Sequence, residues 1–187
     1  GACPRIEFVL EQFNEQPHAL LSYTFHARLI FLMGDSLSIH LQLSNTGTEP
    51  MPLTWALHSY HPVASLTSTR VSGLDGCEYL DNTSALARKI QSGDVVFDGE
   101  LDRAYINAAD VQNIISALPD KDSIMIEASG CASAVVWNPG LKKATELKDV
   151  GADNFQQFVC VERGNVFDNE VMLQADETHT ASLQIKL

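Results

Sequence analysis

His58, Asp102, Arg103, Trp137, Asn138 and Glu162 are the side chains whose types and settings could do chemistry, because each stands beside an otherwise apolar, strand-like run. Glu162 is the most conspicuous. It directly follows Val159-Cys160-Val161, and a carboxylate there sits either at the solvated end of its strand or in a partly dry site where its basicity is tuned. The others have structural readings as well. Asp102-Arg103 can be a turn or a surface ion pair of little energetic weight, His58 a hydrogen-bonded structural histidine, and Trp137 a core residue.

Other chemistries lack their patterns. Six histidines and many carboxylates could supply metal ligands, yet His58 and His61 stand at a strand end with no H-E-x-x-H or Cys/His cluster beside them, so no metal site is predicted. No G-x-S-x-G elbow is present, and Cys160 lies inside an apolar strand as a buried, unreactive thiol would. No glycine pattern of the phosphate-cradling kind follows a strand.

The elements that must position these residues read as strands. Short apolar or alternating runs rich in β-branched and aromatic residues recur, and long 3.6-residue periodicity is scarce. The spacing predicts a hairpin of Ala19 to Leu32 and Leu37 to Ser44 around Met33-Gly34-Asp35-Ser36. Leu37, Ile39, Leu41 and Leu43 share one face, and Ser38, His40, Gln42 and Ser44 the other. A strand over Met51 to Leu57 follows and runs into His58-Ser59-Tyr60-His61-Pro62. Further strands are predicted at Thr69 to Ser72, Asp94 to Phe97, Ala104 to Asn107, Ser123 to Ala128, Ala132 to Trp137, Gln156 to Val161, Glu170 to Leu173 and Thr178 to Leu187. Helix is expected only at Ala108 to Leu118 and Leu141 to Leu147. So many short strands imply an all-β sandwich or barrel, in one domain over residues 1–187.

Composition narrows the partners. Twenty-four acidic against twelve basic residues give a formal charge of −12, which repels a phosphate backbone and anionic membrane surfaces alike. No nucleic acid and no membrane partner is expected, and no apolar run approaches the ~20 residues a spanning helix needs. Cys3, Cys77, Cys131 and Cys160 form no C-x-x-C pair, which suits a reducing cytoplasm. Gly1-Ala2-Cys3-Pro4 leads straight into the strand-like Ile6 to Leu10, so no export signal is expected.

Five segments in order resemble the aldose 1-epimerase superfamily, and within it the D-hexose-6-phosphate mutarotases, or glucose-6-phosphate 1-epimerase-like proteins. They are Ala56-Leu57-His58-Ser59-Tyr60, Leu101-Asp102-Arg103-Ala104-Tyr105, Val135-Val136-Trp137-Asn138-Pro139, Gln157-Phe158-Val159-Cys160-Val161-Glu162 and Glu177-Thr178-His179-Thr180. The resemblance implies a large antiparallel β-sandwich of the galactose mutarotase-like type, here N-terminally truncated. It also implies an isomerase that interconverts the α and β anomers of an aldohexose or hexose 6-phosphate, with no cofactor or metal.

In that resemblance His58 is the general acid that protonates the ring oxygen, and Glu162 the general base that takes the proton of the anomeric hydroxyl. Histidine ordinarily titrates near about 6.5, and a carboxylate raised by burial joins it near neutrality, each step contributing about 10² to 10⁴-fold. Asp102 accepts hydrogen bonds from sugar hydroxyls, Trp137 and Asn138 line the pocket, and Arg103 is the candidate phosphate contact. The sequence departs from the family at Ser59-Tyr60-His61-Pro62, which makes His61 a second candidate acid. Family members also carry an N-terminal part of the sandwich with basic residues and another histidine that contact sugar and phosphate. Without it a half-built site and uncovered sheet edges that can pair with another chain are expected. Two alternatives stand beside the isomerase: a non-catalytic carbohydrate-binding or regulatory module on the same scaffold, and glycoside hydrolysis by Asp102 and Glu162, which leaves the histidine without a purpose.

Overall fold

The computed structural model describes residues 3–12, 22–118 and 121–187. In chain order its strands are β1 (Arg5–Gln12), β2 (Phe25–Met33), β3 (Leu37–Asn45), β4 (Met51–Leu53), β5 (Trp55–Leu57), β6 (Tyr60–Pro62), β7 (Arg70–Ser72), β8 (Glu78–Asp81) and β9 (Ala87–Ile90). They continue as β10 (Val95–Val96), β11 (Leu101–Tyr105), β12 (Val111–Leu118), β13 (Lys121–Ser129), β14 (Ser133–Asn138), β15 (Phe158–Asn165), β16 (Val171–Leu173) and β17 (Thr178–Lys186). One α-helix among the described residues, α1 (Gly140–Glu146), follows β14.

Two antiparallel sheets make the sandwich. The first runs β1-β2-β3-β17-β13-β12-β7-β10, and the second runs β5-β15-β14-β11-β8-β9 with β6 also paired to β15. Alternation decides what lies between them. Ile114, Ile124, Ile126 and Leu183 from the first sheet meet Tyr105, Val136, Val159 and Val161 from the second, all essentially inaccessible to solvent. Full burial of each such side chain contributes about 1.5 to 3 kcal/mol. In β3 the expected faces hold: Ile39 is in this core with Leu37 and Leu41 packed on it.

The hairpin of β2 and β3 forms around the expected turn, with β2 beginning at Phe25; residues 19–21 lie outside the described residues. Three expectations are corrected, and one hairpin was not expected. Ala108 to Leu118 is not a helix: Val111–Leu118 is a strand between β7 and β13. Its apolar residues fit helical spacing, but β-branched Ile114 and Ile115 find a ladder on both sides and Val111 one against β13, and packing overrides local pattern. The strand over Met51 to Leu57 breaks at Thr54, where the chain leaves β16 for β15. Asp102-Arg103 is neither turn nor surface pair but lies within β11. β8 and β9, only four residues each and interrupted by charges, lay outside the expected strands; they form a hairpin closed by Asn82–Ser84, with Ala85 and Leu86 in left-handed conformation.

Candidate active site on the outer face of the second sheet

β15 sets the faces. Val159 and Val161 point into the core, so Phe158, Cys160 and Glu162 point outward. Residues directly opposite in an antiparallel ladder share a face, which adds Val135 and Trp137 from β14, opposite Glu162 and Cys160, and then Asp102 from β11, opposite Trp137. On the other side of β15, β5 and β6 are one interrupted strand. Leu57 faces Arg163 and Tyr60 faces Cys160 in the same register, so the two unpaired residues between them, His58 and Ser59, stand across from Glu162 and Val161.

The interruption is held from both ends. Ser59 Oγ donates to the Val161 carbonyl at 2.7 Å, and Ser59 N–H donates to the Leu57 carbonyl at 3.0 Å. β5 sits close because Gly164 has no side chain: a Cβ there would collide with the Trp55 carbonyl and lie 2.7 Å from Ala56 Cα. His58 Nε2 is consequently 3.3 Å from Glu162 Oε1, with the histidine side chain 49% exposed and the carboxylate 8%.

Burial pushes the Glu162 carboxyl up to about 7, and the charge of Asp102 adds to the rise. Desolvation disfavours the ionised form, and a second carboxylate nearby acts in the same direction. Asp102 is itself oriented by Asn82, whose Nδ2 donates to Oδ1 at 2.7 Å. Aromatic rings wall the pair. Tyr60 stacks on His58 with centroids 4.8 Å apart, Trp137 meets His58 edge-on at 5.7 Å, and Phe158 packs against both Tyr60 and Trp137. A half-dry acid–base pair with an aromatic wall can move protons on a ligand that offers both hydroxyls and an apolar face.

His58, Glu162, Asp102 and Trp137 are therefore brought together. Arg103 and Asn138 are not, because each follows a site residue on the same strand and faces the core side. Arg103 lies over the Tyr79 ring at 4.8 Å and donates to Gln91 Oε1 at 3.0 Å, which Tyr105 also reaches. Asn138 is fully buried, donates to the carbonyls of Phe155 and Phe158 and accepts from Gly140 N–H. Each has a structural role in place of the expected contact with ligand. His61 faces inward too, opposite Val159, where burial pushes its pKa down to about 4. Sequence reasoning missed Tyr60, Phe158 and Asn82. Alternation from Glu162 would have found Phe158; Asn82, in a turn beyond β8, left no signal. Among the described residues no group of three or more His, Cys, Asp or Glu side chains converges as a metal centre would, and no helix is long and apolar enough to cross a membrane.

The two-sheet antiparallel scaffold that carries this face is a sandwich of the galactose mutarotase-like type. The chain belongs to the aldose 1-epimerase family, which it matches over residues 3–186. It is 35% identical over 155 residues to a Cenchrus ciliaris protein named "Putative glucose-6-phosphate 1-epimerase", covering 81% of this chain and 46% of that one. An Escherichia coli protein of the same name is 30% identical over 132 residues, 68% of this chain and 43% of that one. The chain thus spans about half the length of the curated relatives it matches. Among solved structures, a Salmonella typhimurium protein titled a "putative mutarotase" superposes with a TM-score of 0.84 at 22% identity, over 97% of this chain and 59% of that one. A galactose mutarotase-like protein from Lactobacillus casei gives 0.73 at 15% identity, over 97% and 69%. At such identities these two likenesses speak for the fold.

Proposed function

We propose that this chain interconverts the α and β anomers of an aldohexose or its 6-phosphate, with Glu162 as general base and His58 as general acid. The carrying observation is the 3.3 Å approach of His58 Nε2 to the raised, nearly buried Glu162 carboxylate. The anomeric hydroxyl and the ring oxygen are bonded to the same carbon, so an acid and a base serving them must lie within a few ångströms of each other, each in hydrogen-bond reach of its own oxygen.

Ionised Glu162 takes the proton of the C1 hydroxyl as protonated His58 gives one to the ring oxygen. The bond between C1 and the ring oxygen breaks, its electron pair goes to that oxygen, and C1 becomes an aldehyde. Rotation about C1–C2 presents the other face of the carbonyl. Ring closure then runs the transfers backwards: His58 takes the proton of the C5 hydroxyl, Glu162 returns one to the carbonyl oxygen, and both regain their starting state. A carboxyl with a pKa near 7 can accept and release a proton at neutral pH. Asp102 accepts from sugar hydroxyls, and Trp137 and Tyr60 pack the C–H face of the pyranose. A cytoplasmic setting suits the four free thiols.

The test is anomer exchange by NMR magnetisation transfer on glucose and on glucose 6-phosphate, with and without protein. Acceleration is expected, and Glu162→Gln or His58→Asn removes it. Unaltered rates in either variant would defeat the assigned pair. A faster rate with the phosphorylated sugar assigns the substrate class; ligand-dependent stabilisation without acceleration would instead mark a carbohydrate-binding module.

A further inference from the structure

The outer-face row that crosses the second sheet from Tyr60 ends one step beyond Asp102. Tyr60, Cys160, Trp137 and Asp102 stand opposite one another in turn. Arg103 opposite Asp81 carries the same register on, so that Asn82 lies across from Asp102. Asn82 is exposed, and its Nδ2 donates to Asp102 Oδ1 at 2.7 Å. An ionised carboxylate only accepts, so the amide turns its nitrogen to Asp102 and its oxygen away. Among the described residues Asn82 Oδ1 and Asp102 Oδ2 have no other partner, which leaves two acceptors side by side on the outer face. The turn that presents Asn82 is held against strain. Ala85 and Leu86 are both left-handed, at φ 51° and 60°, a conformation that a bulky side chain rarely adopts. Asp81 fixes it: Oδ1 accepts from Thr83 N–H at 3.0 Å and Thr83 Oγ1 at 2.6 Å, Oδ2 accepts from Lys89 Nζ at 2.6 Å, and its carbonyl accepts from Leu86 N–H at 2.9 Å. Strain persists where the surrounding structure over-determines it, and it gathers at ligand sites.

We propose that Asn82 determines sugar specificity: its Oδ1 accepts from the hydroxyl on C3, while the Asp102 carboxylate that it orients accepts from the neighbouring hydroxyl on C2. The assignment rests on the proposed function for the orientation of the ring. There His58 serves the ring oxygen and Glu162 the hydroxyl on C1, and across the sheet the order of side chains is His58, Glu162, Asp102, Asn82. Around a pyranose the order from the ring oxygen is C1, C2, C3, with C3 directly across the ring from that oxygen. The two orders match. Asp102 lies near enough for its charge to act on Glu162, as acceptors for hydroxyls on adjoining carbons must, and Asn82 lies one position further. C5 and C6 fall on the other side of the ring oxygen, so this pair reads the sugar and not what is attached at C6. The grip also suits the reaction. With C2 and C3 held, rotation about C1–C2 in the open form swings the aldehyde and leaves the rest of the chain in place.

NMR chemical-shift titrations of the 187-residue chain with glucose, 2-deoxyglucose and 3-deoxyglucose test this, since they give a Kd whether or not anomers exchange faster. Wild type should bind 3-deoxyglucose about tenfold more weakly than glucose, the value of one hydrogen bond. Asn82→Ala should weaken glucose and 2-deoxyglucose by about the same factor, but 3-deoxyglucose by roughly threefold at most, because the contact it removes is already missing. The 2-deoxyglucose arm ties the loss to C3, and the wild-type series decides the matter even if the variant folds poorly. Wild type that binds 3-deoxyglucose as tightly as glucose, wild type that binds neither, or an Asn82→Ala chain that loses as much affinity for 3-deoxyglucose as for glucose would each overturn the assignment. C3-dependent binding through Asn82 without faster anomer exchange would support it and defeat the catalytic reading alone.

Discussion

His61 approaches Ser59 from the core side, its Nε2 3.0 Å from the Ser59 Oγ that donates onward to the Val161 carbonyl. A buried neutral histidine thus braces the two residues at which β5 and β6 leave the ladder, and His58 is held facing outward. Ser59→Ala removes the bridge. It should cost about 1 to 2 kcal/mol of stability and lower the anomer exchange rate about tenfold by loosening His58, with KM little changed. Chemical denaturation and NMR exchange at saturating sugar check the two effects separately.

His61 and Glu162 pull the pH dependence of stability in opposite directions. Glu162 has its pKa raised from 4.5 to about 7, so the folded state holds its proton more tightly; that stability is full below 4.5 and is lost as pH rises through 7. His61 has its pKa lowered from 6.5 to about 4, so its contribution is full above 6.5 and is lost as pH falls toward 4. Each effect is on the order of 3 kcal/mol, so between about pH 4.5 and 6.5 they should nearly cancel. Urea titrations should find a flat wild type. Glu162→Gln should grow less stable as pH falls across this window, and His61→Phe should grow less stable as pH rises.

Asp102 raises the pKa of Glu162 through its charge. Asp102→Asn should therefore move the acidic limb of the pH–rate profile to lower pH, because the base then ionises more readily. The plateau should fall about tenfold through the lost hydrogen bond to sugar. A limb that stays in place would remove Asp102 from the electrostatics of the base.

The two tryptophans separate the site from the rest of the fold. Trp137 lies edge-on to His58, while Trp55 packs beside His179. Saturating sugar should alter the emission of Trp55→Phe, which retains Trp137, and leave that of Trp137→Phe unchanged. Trp137→Ala should raise KM by about tenfold, the value of a lost aromatic contact.

The sandwich was legible because alternating runs such as Leu37 to Ser44 report which face is buried, and the five ordered segments pointed to the family. The geometry of the site was legible only in part. Asp102 with Arg103, and Trp137 with Asn138, are neighbours on one strand, and neighbours on a strand cannot both face one ligand. Without knowing which face of β11 and β14 is outermost, a sequence cannot choose between them. The meeting of His58 with Glu162 was hidden for another reason: it depends on pairing between strands far apart in the chain. Ala108 to Leu118 misled because helical spacing and a strand buried between two others can share the same residues.

The gap in the ladder between Leu57 and Tyr60 also fixes a length. Because faces alternate with every residue, adding or removing one residue there would turn either His58 or the whole of β6 to the wrong side, exposing His61 or burying Tyr60. Chains descended from this one can exchange side chains along the segment and still fold. They cannot change its count. Insertions and deletions between Leu57 and Tyr60 should be absent from any lineage that keeps the acid and the base together, even where substitutions have accumulated on either side.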